Sequence, residues 1–167
     1  MTKALYLPVT LLLLCLIGCM ACSQQRLPCL NPVTASLIVN TVHMKTDTSS
    51  VPVDSSLPKA AFYPLSNEKN DTSRYQPSAL FTLTLAPDST FCEWIYSANS
   101  AQPFDTLSFY YRRRLEFISN ACGFTYYFDL DSVRTTHWHT DSVVILNTSV
   151  NDNVNTKHLQ IYIHPNY

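Results

Sequence analysis

Apolar and polar residues alternate with a period of two in several short segments of this chain, and no convincing helical pattern is present. The alternation is clearest over residues 78–86, where Phe81, Leu83 and Leu85 share one face, and it recurs over residues 159–163. Because successive side chains of a strand point to opposite faces, each such segment predicts a half-buried strand. The chain is therefore predicted to be all-β.

The predicted strands are short and are separated by turns or polar loops. They cover residues 35–44, 59–65, 78–86, 91–96, 104–112, 115–119, 123–130, 143–146 and 159–163, with polar loops over residues 45–58 and 66–77. Pro87-Asp88-Ser89 predicts a tight turn, so we expect the strands on either side of it to pair as a hairpin. The spacing favours a single antiparallel β-sandwich, immunoglobulin-like or similar.

The N-terminal segment predicts export and a lipid anchor. Lys3 precedes an apolar run over residues 4–17. This run is shorter than the roughly 20 residues of a membrane-spanning helix and has the length of a secretory signal. Leu16-Ile17-Gly18-Cys19 fits a bacterial lipobox, in which the cysteine thiol takes the diacylglycerol and the small residue before it fits the signal peptidase. The alternatives are an ordinary cleaved signal, an unprocessed buried helix and a cut before Cys22.

The lipobox also predicts how the chain is organised. We expect a signal peptide over residues 1–18, a lipid-anchored tether over residues 19–28 that begins with acylated Cys19, and a β-sandwich domain over residues 29–167. The tether has no acidic cluster and no Asp directly after Cys19, which favours an outer-membrane anchor facing the periplasm. The lipid bilayer, reached through Cys19, is the first predicted partner.

The charge balance argues against one class of partner. The full chain has 11 Lys and Arg against 12 Asp and Glu, a formal net charge of −1. No basic stretch has the length of a nucleic-acid-binding tail, so no nucleic-acid partner is expected.

Apart from Cys19, the mature chain would contain Cys22, Cys29, Cys92 and Cys122. An even number of cysteines suits an oxidising compartment, and three pairings are open. Because an exported thiol tends to find a partner, we favour a disulfide between Cys29 and Cys122. A buried free thiol is the alternative for Cys92.

His137-Trp138-His139 is the pattern that points most directly to a metal. In a strand, residues i and i+2 project to the same face, so both imidazoles would reach one ion. A third ligand would have to come from Asp141, His43, His158 or His164. We favour the alternative, a polar strand end with two exposed histidines around a buried Trp138, and expect neither a metal nor another cofactor.

Arg112-Arg113-Arg114 is the densest group of positive charges. Three arginines would suit an acidic partner or a lipid headgroup. In a strand they alternate between faces, and we favour a solvated bend between two strands.

The sequence carries no catalytic signature. A G-x-S-x-G elbow cannot form when Gly123 is the one glycine that follows Gly18. No Cys-His pair has a recognisable local signature, and the carboxylates are scattered along the chain. We therefore expect a protein that is not an enzyme.

Residues 114–124, Arg-Leu-Glu-Phe-Ile-Ser-Asn-Ala-Cys-Gly-Phe, resemble part of an uncharacterised family of Bacteroidota lipoproteins, a domain of unknown function. The lipobox, an early Cys29 and the Asp-Thr-Leu-x-Phe-x-Tyr segment over residues 105–111 agree with that family in order. The resemblance covers most of the domain, and its specific part is Ala-Cys-Gly at residues 121–123. It implies a compact periplasmic β domain with Cys29 and Cys122 as disulfide partners, and it implies no activity.

The expected function is that of a non-enzymatic lipoprotein which acts by protein contact or as a structural module of the envelope. An outer-membrane protein is the second predicted partner. One alternative is a carbohydrate- or small-ligand-binding domain, in which Trp94, Trp138 or Tyr126 stacks on a sugar. The other is a metal-binding domain that uses His137 and His139.

Overall fold

The computed structural model describes residue 29 and residues 35–44, 51–65, 77–99, 103–151 and 155–164. The predicted signal peptide and tether, with Cys19 and Cys22, lie outside the described residues. The chain divides into two units, one of Met1–Pro32 with Asn120–Cys122 and one of Val33–Ser119 with Gly123–Tyr167. Within the described ranges, no helix has the length and apolar character needed to cross a membrane.

The described residues form ten strands, all of them in the second unit. They are β1 (Ser36–Met44), β2 (Pro52–Asp54), β3 (Ala61–Pro64), β4 (Leu80–Thr84), β5 (Phe91–Ser97), β6 (Asp105–Ser119), β7 (Gly123–Thr135), β8 (Thr140–Ile145), β9 (Ser149–Val150) and β10 (Leu159–Ile163). One sheet has the order β2-β1-β10-β8, with β4 also paired to β1, and the other has the order β3-β5-β6-β7-β9. The two sheets pack together, which confirms the predicted all-β, sandwich-like fold.

The core lies between the sheets and uses the faces that the alternation predicts. Leu159, Ile161 and Ile163 of β10 are buried, whereas the residues between them are partly exposed. From the other sheet, Leu107 and Phe109 of β6 join the same buried cluster. Full burial of one such side chain stabilises the fold by about 1.5–3 kcal/mol.

One strand pair departs from the predicted antiparallel arrangement. β1 and β10 run parallel, with Val39 opposite Leu159 and Thr41 opposite Ile161. Parallel neighbouring strands need a long connection. Here the connection from β1 to β10 includes all the strands from β2 to β9. Alternation within a strand carries no information about such a distant partner.

The hairpin predicted around Pro87-Asp88-Ser89 is wrong. β4 pairs with β1 in one sheet, whereas β5 pairs with β3 and β6 in the other. The connection therefore crosses between the sheets. The Tyr111 hydroxyl holds this crossing, because it accepts a hydrogen bond from the Ala86 N–H and donates one to the Ala86 carbonyl, both at 3.0 Å.

The bend predicted at Arg112-Arg113-Arg114 is also wrong. β6 continues through these residues over 15 positions, and β7 continues to Thr135 rather than ending at the predicted residue 130. The two strands pair along most of their length, and this long cross-strand pairing outweighs the local concentration of charge. The short strands β2 and β9 fall where no strand was predicted.

Candidate contact surface

β6 and β7 extend together beyond the strands that flank them. β5 pairs with β6 only as far as Tyr110, and β9 pairs with β7 at Phe128 and Asp129. Among the described strands, the far part of β6 is therefore hydrogen-bonded to β7 alone. We call residues 112–119 and 123–129 the ribbon. Two paired strands are marginally stable by themselves, so contacts on the faces of the ribbon affect its stability.

A β-bulge sets the direction in which the ribbon side chains point. Tyr110 lies opposite Ser132 and Tyr111 lies opposite Leu130, which leaves Asp131 as an extra residue on β7. Because side chains alternate, a slip of one residue turns a whole strand face over. The bulge keeps Leu130, and the alternate residues before it, on the same side as buried Tyr111.

On that side, the ribbon carries four large apolar side chains that remain exposed. Leu115 and Tyr126 lie opposite each other and are 58% and 38% exposed; Phe117 and Phe124 lie opposite each other and are 56% and 64% exposed. We call these four residues the ribbon patch. Soluble monomers seldom expose large contiguous apolar surfaces, and those that do use them for contacts.

Arg113 marks the boundary between the ribbon patch and the core. Its Nη1 donates a hydrogen bond of 2.7 Å to the Pro87 carbonyl, and its guanidinium carbon lies 5.8 Å from the centroid of the Tyr126 ring. Tyr111, on the core side of Arg113, and Phe128, directly opposite Arg113, are buried. The apolar face is therefore continuous from the core to the ribbon, and only its outer part is uncovered.

The opposite face of the ribbon is ionic. Arg114 contacts Asp129 at 3.1 Å and Glu116 at 2.8 Å, and Arg112 contacts Asp131 at 3.2 Å. Exposed pairs of this kind contribute about 0–1 kcal/mol each. Their effect is mainly on the character of the surface, because one face of the ribbon is charged and the other is apolar.

Asn120–Cys122 link β6 to β7 in the chain, and Gly123 begins β7 with a φ of 71°, a left-handed conformation that favours glycine. A disulfide joins Cys122 to Cys29, with their Cα atoms 4.8 Å apart, as we favoured from the sequence. The turn of the ribbon is thus covalently connected to a position ten residues after Cys19. Cys19 itself lies outside the described residues.

The predicted metal pattern forms no paired site. His137 and His139 lie in a bend between β7 and β8, not in a strand, and Trp138 is exposed rather than buried. The Nδ1 atom of His137 lies 3.1 Å from the Thr140 carbonyl oxygen, whereas His139 is buried with Nε2 2.7 Å from the Pro103 carbonyl oxygen. In the described part of the chain, no three His, Cys, Asp or Glu residues could hold an ion together.

Buried Asp105 explains why this bend has its shape. One carboxylate oxygen accepts hydrogen bonds from the Trp138 N–H at 2.8 Å and the Thr136 hydroxyl at 2.9 Å. The other accepts from the His139 N–H at 2.8 Å and the Thr140 hydroxyl at 3.0 Å. A carboxylate with four donors organises the backbone locally, and the two histidines follow that backbone.

Two of the suggested third metal ligands have other roles. His158 is buried, and its Nδ1 accepts a hydrogen bond of 2.9 Å from the Ile38 N–H. Burial lowers the pKa of His158, although a hydrogen bond with the Ser149 backbone acts in the opposite direction. His164 contacts Asp141, with Nε2 3.1 Å from a carboxylate oxygen.

Two open, largely apolar grooves flank the crossing at Pro87. A groove of about 300 Å³ adjoins the ribbon patch and includes Leu85, Phe124 and Tyr126 in its lining. A larger groove of about 690 Å³ includes Cys92 and Trp94. Cys92 has a free thiol, and burial raises its pKa. A nucleophilic cysteine needs the opposite shift.

The three aromatic residues considered for sugar stacking do not form one site. Trp94 is buried in the core, contrary to its expected surface position. Tyr126 is near the start of β7, whereas Trp138 follows the end of that strand. At about 3.3 Å per residue, the strand from Tyr126 to Thr135 is roughly 30 Å long, so these two side chains lie towards opposite ends of β7.

Sequence reasoning did not identify the ribbon patch. The signal was the alternation of Leu115 and Phe117 before the Cys122-Gly123 turn, followed by that of Phe124 and Tyr126 after it. Such alternation equally describes a covered sheet face. Only the strand register and the exposed fractions of the four side chains show that this part of the face is uncovered.

Comparison with known proteins gives a family without an activity. Residues 69–163 match a model described as a family of unknown function (DUF6452). Neither the curated proteins nor the solved structures contain a match to the chain. The match includes the whole ribbon and begins after the predicted tether.

Proposed function

The chain belongs to this family of unknown function, DUF6452, and from that premise we propose that it is an outer-membrane-anchored lipoprotein which faces the periplasm and acts by contact rather than by catalysis. The observation that carries the proposal is the ribbon patch. Four large apolar side chains are held side by side on a pair of hydrogen-bonded strands and left uncovered. Leaving them in water forgoes the roughly 25 cal/mol that each Å² of apolar surface gains on burial.

The position of the ribbon supports a role at the membrane. Its turn contains Cys122, which is bonded to Cys29, and the lipobox cysteine precedes Cys29 by only ten residues. An acylated Cys19 would therefore be covalently connected to the ribbon through a short segment. A contact surface connected in this way stays close to the components of the membrane.

Burial favours the protonated form of the Cys92, Tyr96 and Tyr111 side chains, which supports a non-enzymatic role. Burial raises the pKa of the Cys92 thiol and of the Tyr96 and Tyr111 hydroxyls. Tyr111 already uses its hydroxyl to hold the backbone at Ala86. These groups are suited to packing and hydrogen bonding rather than to nucleophilic attack.

The anchor can be tested by replacing the lipobox cysteine. Mass spectrometry of membrane fractions should show acylated Cys19, and Cys19→Ser should lose membrane association. Cys92→Ser is the matched control, because it removes one thiol outside the lipobox and should stay in the membrane fraction. Membrane association of Cys19→Ser equal to that of the unmodified sequence would rule out the lipid anchor.

A further inference from the structure

We propose that the ribbon patch lies on the lipid bilayer itself and forms a second membrane contact, which orients the domain relative to its acyl anchor. The proposal rests on the proposed function, since it requires an acylated Cys19. It concerns Leu115, Phe117, Phe124 and Tyr126, and it assigns them a phospholipid surface as the partner.

The reach of the anchor favours lipid as the occupant. Nine residues separate Cys19 from Cys29, so the two are at most about 35 Å apart even when the chain is fully extended. Cys122, bonded to Cys29, directly precedes the ribbon residues Gly123 and Phe124. Whenever the lipid is inserted, the bilayer surface is within reach of the patch, whereas a protein partner would have to diffuse to it.

The distribution of charge fixes how the ribbon would lie. Arg114 and Glu116 occupy the face opposite the patch, at the same level along the strands, and Asp129, which contacts Arg114, lies on that face nearer the core, opposite Arg112. If the ribbon entered the bilayer end-on, these charges would enter with it, at a cost of several kcal/mol. If the ribbon lies flat with the patch towards the lipid, they stay in water.

Hydrogen bonding at the edge of the ribbon favours the same flat orientation and limits how deeply the ribbon enters the bilayer. Over residues 112–118, the outer edge of β6 has no partner strand among the described residues. Unpaired backbone groups do not enter the hydrocarbon region, but they are tolerated in the hydrated headgroup layer. Flat amphipathic segments bury their apolar face by about 5–10 Å, which suits a patch of single side chains projecting from a sheet.

The order of side chains along the patch fits the headgroup layer of the bilayer. Phe117 and Phe124 are nearest the turn, Leu115 and Tyr126 come next, and Arg113 follows at the boundary with the core. Tyrosine favours the membrane interface, where its ring contacts lipid and its hydroxyl contacts water. Arginine at the edge of an apolar surface is suited to phosphate oxygens, and Arg113 lies against the Tyr126 ring.

Photocrosslinking of the full-length, acylated protein in bacterial membranes tests the proposal. A photoreactive phenylalanine analogue would replace Phe117 or Phe124, with Trp138, an equally exposed aromatic position in the β7–β8 bend, as the matched control. Mass spectrometry would identify the adducts. We expect phospholipid adducts when the analogue is at position 117 or 124, and none when it is at position 138.

The outcomes separate lipid from protein contact. Protein adducts at positions 117 and 124 in place of lipid adducts would overturn the proposal and identify an outer-membrane protein as the occupant. Equal lipid labelling at all three positions, or none, would overturn it as well. If Cys19 carries no acyl group, the proposed function fails first; if Cys19 is acylated and lipid adducts are missing, only the bilayer contact fails.

A second measurement needs no substitution. A carbene reagent dissolved in vesicles of phosphatidylethanolamine and phosphatidylglycerol would label the reconstituted wild-type protein from within the bilayer. Stronger labelling of Phe117 and Phe124 than of Trp138 supports the contact. Equal labelling of all three residues contradicts it.

Discussion

The ring of Phe117 packs edge to face against the ring of Phe124 across the ribbon, with the ring centroids 5.2 Å apart and more than half of each residue exposed. Aromatic pairs of this geometry contribute about 0.5–1.5 kcal/mol beyond the area they bury. Two phenylalanines that are more than half exposed add little to the core, so their position is better explained by a contact outside the domain.

Replacing both rings is therefore expected to change folding stability only slightly. Phe117→Ser combined with Phe124→Ser should lower the free energy of unfolding by less per ring than the loss of a buried phenylalanine, because less than half of each residue is buried and the ring pair adds only about 0.5–1.5 kcal/mol. Urea unfolding monitored by circular dichroism measures the change.

The control for this prediction lies on the same face of β6. Phe109 is fully buried between the sheets, and Phe109→Ala should lower the unfolding free energy by about 3–5 kcal/mol. If the two sets of substitutions are equally destabilising, the patch belongs to the core and is not a contact surface.

The buried carboxylate of Asp105 is expected to be important for folding. Its oxygens accept hydrogen bonds from Thr136, Trp138, His139 and Thr140. Asp105→Ala leaves these donors without their acceptor, and the unfolding free energy should fall by about 2–4 kcal/mol.

Asp131→Asn provides the comparison for Asp105. Asp131 is exposed and contacts Arg112 at 3.2 Å, so its replacement should change stability by less than about 1 kcal/mol. A loss for Asp105→Ala as small as this would contradict the role given to the buried carboxylate.

Stability should fall in mild acid because of His158. Burial lowers the pKa of His158 in the folded chain below its ordinary value of 6.5. The imidazole is neutral in both states well above that value, so its contribution is then fully present. As the pH falls below 6.5, the unfolded chain takes up the proton first, and the folded state loses stability until the pH passes the lowered folded pKa.

His158→Asn separates this effect from other acid effects, since asparagine keeps an acceptor for the Ile38 N–H but does not titrate. Unfolding free energies would be measured from about pH 8 to about pH 5, where histidine titrates. The variant should lose less stability over this range than the wild type. Identical pH profiles would show that His158 does not contribute.

The disulfide between Cys29 and Cys122 should stabilise the folded chain, because it closes a long loop and so lowers the conformational entropy of the unfolded chain. The two residues are 93 positions apart, and in the chain-entropy model a loop of this size is worth at most about 4–5 kcal/mol. Replacing both cysteines by serine should lower the unfolding free energy by an amount up to that limit.

Peptide mapping without reduction tests the pairing independently. It should recover the peptide of Cys29 linked to that of Cys122, with Cys92 alkylated only after unfolding because it is partly buried. Free thiols at both Cys29 and Cys122 would contradict the disulfide.

Strand positions could be predicted from the sequence, but strand partners could not. Alternation over residues 159–163 and 78–86 reports which face of a strand is buried, and both segments contain strands. It does not report the neighbour. The partner of β4 is decided by packing far away in sequence, where Tyr111 binds the backbone at Ala86 and directs the chain into the other sheet.

The candidate surface was the least predictable part, for a similar reason. The spacing of His137 and His139 suggested a shared face, but the Asp105 carboxylate, more than 30 residues away, bends that segment. Leu115, Phe117, Phe124 and Tyr126 have the pattern of an ordinary buried face. Their exposed fractions show that nothing in the described residues covers this part of the face, and the local alternation contains no signal of that.

Hydroxyl-radical footprinting of the ribbon in intact membranes tests the contact role most directly. Oxidation of Phe117 and Phe124 would be compared between the acylated full-length protein in its membrane and the Cys19→Ser protein released into the periplasmic fraction, with exposed Trp138 as the internal reference. We predict that both phenylalanines are protected only in the membrane-anchored protein, while Trp138 is oxidised equally in both. Equal oxidation of Phe117 and Phe124 in the two samples would contradict a contact function for the ribbon patch.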